Sequence, residues 1–374
     1  MHALVIGVSE YEGDRFKLLR GAAPAATHFA RFLLHDFHHP EEVPLQTVRL
    51  HLAPPANMTE ADQAEYLLTD GRPYQPASYQ AVERALAAWA ADCDAHPGNI
   101  AVLFVTGHGL ATSSQARWAF LPEAGAAGNI YSFGINVTAL KQRMEPRRAR
   151  TQLFIWDICA DSDGKPDYDG TGGISIPPVT HEPEHPGSVD QVAIMSRLGT
   201  ETYALNAEKG TVLTSALVGF SAEDFRTRLM CTAVAVDKHS NIAVTPKQVE
   251  KLLPAAVDSK VRGHPSYMEH IVDSRSADVG LNRPDPPPLF KVTLSWNGQP
   301  ASEALSIKVT RGRDETFPTY KLVWTADQPE VQTLVELSAG HYQFSAKPCA
   351  GDGNSYGVTV DSDMSIDAWN GGEL

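Results

Sequence analysis

The sequence predicts an α/β domain built on a mostly parallel sheet, followed by a small all-β domain. Three observations carry this. Short apolar runs alternate with amphipathic helical patterns over residues 1–281, a proline-rich stretch interrupts the chain, and beyond it the hydrophobic period becomes two. At 374 residues the chain is long enough for two domains and a sizeable core.

The runs Ala3–Val8, Val48–Leu52, Ala101–Val105, Gln152–Trp156 and Val192–Ser196 read as buried parallel strands, and Leu229–Val236 as a sixth. Between them, Ala25–Leu34 reads as a helix. Ser78 is placed to cap a second helix running to about Ala95, whose apolar positions Val82, Leu86, Trp89 and Cys93 lie on one helical face. Asn136 is placed to cap a third that ends before Pro146, and Gly210–Phe220 and Thr245–Ala256 read as two more. The run NRPDPPP at Asn282–Pro288 continues neither a helix nor a central strand, which makes 282–289 a stiff linker. From 290 to 374, Phe290, Val292, Leu294 and Trp296 alternate with polar residues up to the hairpin signal Asn297-Gly298. Leu305, Ile307 and Val309 alternate again, as do Tyr342, Phe344 and Ala346 after Ala339-Gly340, the pattern of a small β-sandwich.

Composition narrows the function. A net charge of −14 disfavours a nucleic-acid partner, which needs clustered Lys and Arg. The N-terminal run MHALVIGV lacks a basic flank and ends at Ser9, so neither a signal peptide nor a membrane partner is expected, and the expected location is the cytoplasm. Cys93, Cys159, Cys231 and Cys349 form no CxxC pair, which points to free thiols in a reducing compartment.

Two expected strands end in reactive residues. AVLFVTGHG puts His108 just past one strand, and QLFIWDICAD puts Cys159 at the end of another. Strand C-terminal ends of an open parallel sheet share one edge, so the two can meet across about fifty positions of chain, a spacing also found in caspases. An imidazole beside a thiol promotes the thiolate and later protonates a leaving amine. The backbone amides of Gly109 and Cys159 are the natural oxyanion donors. The bland alternatives are a buried structural cysteine, the reading preferred for Cys93, Cys231 and Cys349, and a loop histidine.

These segments resemble the clan of caspases, metacaspases and bacterial caspase homologues. LVIGVSEY is similar to the opening strand, LLRGAAPAATHFARFL to the first helix, VTGHG to the histidine motif and WDIC to the Asp-x-Cys motif of metacaspases. AIMSRLGTETYALNAEKGTVLTSAL resembles the small-subunit region and GHPSYM a late segment of bacterial homologues. The resemblance covers about residues 1–281 and implies a caspase-like α/β/α sandwich, with an immunoglobulin-like or prealbumin-like β-sandwich appended. The sequence departs from the metacaspase pattern at Ala25, where an acidic residue is usual, and after Cys159, where Ala160, Asp161 and Ser162 replace Ser-Gly.

The resemblance also implies a cysteine endopeptidase acting on protein substrates. It places Asp157, Ser196 and Arg20 at the pocket for the residue before the scissile bond (P1). A carboxylate there pairs with Arg or Lys, and the caspase pocket arginine aligns with Ala204, in the segment Thr202-Tyr203-Ala204. Both favour cleavage after a basic residue; the alternatives are that Asp157 caps a turn, or that Arg20 or Arg197 reverses the preference. The long segment 161–191 lies where related enzymes are processed. Its one basic residue, Lys165, precedes Pro166, so self-cleavage there is not expected, and the run Ala149-Arg150, preceded by Arg147 and Arg148, is the preferred accidental site. Control by an activating protein or an upstream protease is consistent with that segment. Asp161, Asp163, Asp167 and Asp169 match a calcium loop only in part, the glycine falling fourth rather than sixth, so a solvated acidic loop is preferred and neither metal nor other cofactor is expected. The resemblance suggests stress, cell-death or antiphage signalling. The rival functions are an inactive caspase-like scaffold and a thiol hydrolase acting on a non-peptide substrate.

Overall fold

The computed structural model describes residues 1–59, 63–111, 117–159, 173–174, 176–179, 190–196, 204–206, 210–220, 228–236, 241–260, 270–274, 279–296, 304–311, 315–316, 320–323, 331–348 and 354–367. The chain forms two compact units, Met1–Met230 with Thr245–Asn282, and Cys231–Val244 with Arg283–Leu374.

In chain order the first unit contains β1 (His2–Val8), α1 (Ala22–His35), β2 (Thr47–Ala53), β3 (Gln75–Pro76), α2 (Tyr79–Asp94), β4 (Ile100–Gly107), β5 (Gly109–Ala111), β6 (Arg117–Phe120), β7 (Gly134–Asn136), α3 (Val137–Met144), β8 (Thr151–Ile158), β9 (Asp190–Ser196), β10 (Ala204–Asn206), β11 (Gly210–Thr211) and α4 (Val212–Val218). The chain continues through α5 (Leu229–Thr232), β12 (Val234–Val236), β13 (Ile242–Val244), α6 (Pro246–Lys260) and β14 (His270–Ser274). Six α-helices thus accompany a seven-stranded sheet of order β14-β9-β8-β4-β1-β2-β3 among the described residues, parallel throughout except for β14. The five apolar runs expected as parallel strands all lie in it.

Strand alternation divides the sheet into two faces. A Cβ on Gly7 would lie 2.6 Å from the Ala26 side chain, so Ala3, Val5 and Gly7 face α1. Phe104 joins them, its ring stacked on Phe29 at 4.5 Å. Leu4, Ile6 and Val8 face the other way and pack with Val82, Leu86, Trp89 and Cys93 of α2. Trp89 is fully buried with its indole N–H donated to the His2 carbonyl at 3.1 Å. Truncating such a tryptophan to alanine costs about 3–5 kcal/mol.

The caps depart from expectation at one helix. Asn136 caps α3, its side chain accepting the Ala139 N–H at 2.9 Å. Ser78 stands at the start of α2 but makes no side-chain cap; Glu123 accepts the Tyr79 N–H instead, at 2.8 Å. A carboxylate from another loop adds charge to the cap, which a serine does not.

Leu229–Val236 is not a sixth strand of the sheet. It splits into α5 and β12, and β12 pairs antiparallel with β13. An apolar run of this length does not distinguish a strand from a buried helical turn. Asn282 is fully buried, accepting the His38 N–H at 2.7 Å and donating to the Met230 carbonyl at 2.6 Å, so it closes the first unit.

The second unit adds β15 (Leu289–Trp296), β16 (Ala304–Arg311), β17 (Glu315–Thr316), β18 (Tyr320–Val323), β19 (Val331–Ser338), β20 (Gly340–Pro348), β21 (Asn354–Val360) and β22 (Met364–Asp367). They form two sheets, β19-β15-β22 and β17-β16-β20-β21 with β18 beside β16. Asn297-Gly298, where a hairpin is expected, lies outside the described residues; β15 and β16 on either side of it belong to different sheets, and β19 and β20, on either side of Ala339, also part. Alternation reports the buried face of a strand and not its pairing partner.

Candidate active site

β4 and β8 are adjacent and parallel, with Thr106 opposite Asp157 and Gly107 opposite Ile158. One step further along the same edge stand His108 and Cys159, both half-buried. The loops also touch. A Cβ on Gly109 would lie 2.8 Å from the Ile158 Cβ and 2.9 Å from the Cys159 carbonyl oxygen, so only glycine allows this approach. Gly107 has φ +155° and a Cβ there would lie 2.7 Å from the Tyr11 hydroxyl, which makes glycine necessary on both sides of the histidine.

Three residues from the segment after β1 hold His108. Its main-chain N–H donates to the Tyr11 hydroxyl at 2.7 Å, and that hydroxyl donates to the Phe120 carbonyl at 3.3 Å. Its ring stacks on Phe16, with centroids 5.1 Å apart, and lies 5.1 Å from the Tyr11 ring. Its Nε2 lies 2.8 Å from the Lys17 carbonyl oxygen, which only accepts, so Nε2 carries the proton and Nδ1 keeps its lone pair. Burial lowers the His108 pKa, against a smaller raising effect of the Lys17 carbonyl, so the imidazole is neutral at pH 7. Burial raises the Tyr11 phenol pKa far above its ordinary value; the bond from His108 opposes this and the nearby Cys159 adds to it.

The Phe120 N–H donates to the His108 carbonyl at 3.0 Å, and Gly109 is register-paired with Ala119. Antiparallel pairs alternate between hydrogen-bonded and open, so the Gly109 N–H turns away from β6.

Asp157 faces α1 and is 1% exposed. Its Oδ2 accepts from the hydroxyls of Thr211 and Thr214, the latter at 3.0 Å, while Thr211 caps α4 by accepting the Thr214 N–H at 3.2 Å. Oδ1 is buried without a hydrogen-bond partner among the described residues, as is Oγ1 of neighbouring Thr106. Burial raises the Asp157 pKa to about 6, with the two threonine bonds pulling it down.

Comparison of the sequence with known protein families and with curated proteins found no match.

The remaining predicted pocket residues are placed less closely. Ser196 ends β9, register-paired with His270, and Arg20 is exposed just before α1. Ala204 opens β10, while Arg197, Thr202 and Tyr203 lie outside the described residues. So do Lys165, Pro166, Asp161, Asp163, Asp167 and Asp169. Within the long segment, Ile174 is buried and bridges Ile135, and Ile176 is buried with its carbonyl accepting from Arg143 at 3.4 Å. Among the described residues no group of three or more His, Cys, Asp or Glu side chains is arranged to hold a metal. No helix among them is long and apolar enough to cross a membrane.

Sequence reasoning missed Tyr11, Phe16, Thr211, Thr214 and the Lys17 carbonyl. Any residue type presents a main-chain carbonyl, so no sequence signal marks Lys17. Tyr11 lay within the quoted opening-strand segment, and its nearness to His108 arises only because β1 and β4 are neighbours.

Proposed function

We propose that this chain is a cysteine endopeptidase with a caspase-like α/β/α first domain and an appended β-sandwich, using Cys159 as nucleophile and His108 as base. The observation carrying the reading is the β4–β8 register, which leads His108 and Cys159 to the same sheet edge with Gly109 packed against the Cys159 backbone. His108 Nδ1 takes the thiol proton, and the Lys17 carbonyl stabilises the imidazolium through Nε2–H. The Cys159 sulfur bonds to the substrate carbonyl carbon, and the oxyanion meets the N–H groups of Gly109 and Cys159. Collapse breaks the C–N bond; the amine leaves with the proton from His108, and water then hydrolyses the thioester with His108 again as base.

Cleavage after Arg or Lys is the proposed specificity. The carboxylate of Asp157, two residues before Cys159, supports it: Oδ1 has no donor among the described residues, and a substrate guanidinium or ammonium supplies one once the side chains that bury it move aside. A reducing cytoplasm, where a catalytic thiol stays reduced, is the proposed location. Cleavage of a peptide library by the full chain tests both parts. Cleavage after basic residues, lost in Cys159→Ala with an unchanged circular dichroism spectrum, is expected. Cleavage that survives Cys159→Ala refutes the dyad, and a preference for acidic P1 residues refutes the role of Asp157.

A further inference from the structure

Away from the dyad, at the open edge of the sheet, lies a cavity of about 500 Å³ between β2, α2 and the chain leading into β3. That volume falls in the range of small-ligand sites. It forms because β3 covers only the end of β2, pairing with His51 and Leu52, so the earlier part of β2 has no strand outside it. On α2, Ala81 and Ala85 face the space from one side of the helix, and their short side chains leave it open.

The polar lining is one-sided in charge. Arg49, Arg72 and Arg84 line the cavity and no carboxylate among the described residues does, in a chain of net charge −14. Arg49 is held by Asp92 at 2.6 Å and Arg72 by Asp70 at 2.6 Å, both acids lying outside the lining. Arg84 has no hydrogen-bond or ion-pair partner among the described residues. Two further polar groups are Gln75 and His51, the latter 6% exposed and on the α2 face of the sheet because it is register-paired with Ile6. Its Nδ1 lies 3.1 Å from the Pro76 carbonyl oxygen, which only accepts, so Nδ1 donates and Nε2 is left as an acceptor with no partner among the described residues.

We propose that this cavity binds a nucleotide-type ligand: a phosphate group held by the arginines, attached to an apolar ring that carries N–H or O–H donors. Arginine forks match phosphate oxygens, and an unpaired guanidinium over a cavity is the group a phosphate recruits. The His51 Nε2 lone pair asks for a donor, which a ribose hydroxyl or base amine supplies. Leu68 and Pro73 provide the apolar wall for the ring. The inference does not rest on the peptidase reading.

Isothermal titration of the full chain with ADP, pyrophosphate and inorganic phosphate tests it. ADP is expected to bind more tightly than pyrophosphate or phosphate. Arg84→Ala, at an exposed position, is expected to weaken ADP about tenfold, and Ala81→Leu, which fills the cavity from a helix surface, to abolish binding. Absence of ADP binding to the folded chain at millimolar concentration overturns the proposal, as does ADP affinity unchanged in both variants. Binding of phosphate or pyrophosphate as tight as that of ADP overturns the nucleotide assignment.

Discussion

Asp157 offers a quantitative test, because its burial has a calculable pH signature. Its carboxyl has a folded pKa of about 6 against an ordinary value of 3.8. The folded chain therefore keeps this proton to higher pH than the unfolded chain. Its stability falls as pH rises through the window from about 4 to about 6, and the loss is complete above it. A shift of about two units corresponds to roughly 3 kcal/mol. Asp157→Asn removes the titration while keeping an acceptor for the Thr211 and Thr214 hydroxyls. The amide also leaves a buried NH₂ without a partner, at a cost that is the same at every pH. The stability of Asp157→Asn relative to wild type should therefore improve by about 2 kcal/mol between about pH 4.5 and about pH 7.5, the part of the 3 kcal/mol that falls in that interval. Two units need not unfold together, so the readout is hydrogen exchange of peptides covering Thr151–Ile158 and Val212–Val218, corrected for intrinsic rates. An equal difference between the proteins at both pH values refutes the reasoning, since the carboxylate then pays no burial penalty in its charged form.

Other consequences concern the histidine and its supports. Gly109→Ala brings a Cβ to within 2.9 Å of the Cys159 carbonyl and 2.8 Å of Ile158; the proposed peptidase activity should fall at least about tenfold with about 1–3 kcal/mol of lost stability, and full activity in a kinetic assay would contradict the contact. Tyr11→Phe strands the half-buried His108 N–H and should lower stability by about 1–3 kcal/mol in the same exchange assay, with kcat of the proposed reaction reduced more than KM changes. The His108 ring, titrated by NMR in Cys159→Ala to remove the thiol, should show a pKa below 6.5 because burial disfavours its charged form; a value at or above 6.5 would show that the Lys17 carbonyl outweighs burial.

Much of the central sheet was legible in the sequence. Ala3–Val8, Ala101–Val105 and Gln152–Trp156 are continuous apolar runs because parallel strands covered on both faces must bury every side chain. The edge members were not legible: β3 is a two-residue pairing whose residues are exposed, and β14 carries no long apolar run. Leu229–Val236 misled because a short apolar stretch is equally at home in a helical turn and in a strand. In the second unit, alternation identified β15, β16 and β20, but the partner of each depends on where the intervening chain returns.

The candidate site divides in the same way. The sequence by itself marked the candidate reactive atoms, an imidazole and a thiol each placed just beyond an apolar strand, and the glycines around His108 whose lack of Cβ permits close approach. Only the tertiary structure decided that those strands are neighbours in register, that the Lys17 carbonyl selects the tautomer of His108, and that Asp157 lies against Thr211 and Thr214 with one oxygen unpaired. The physical reason is range. Residue type and local period fix what a side chain is and which way it faces, whereas tautomer, pKa and access are set by atoms brought close from distant parts of the chain.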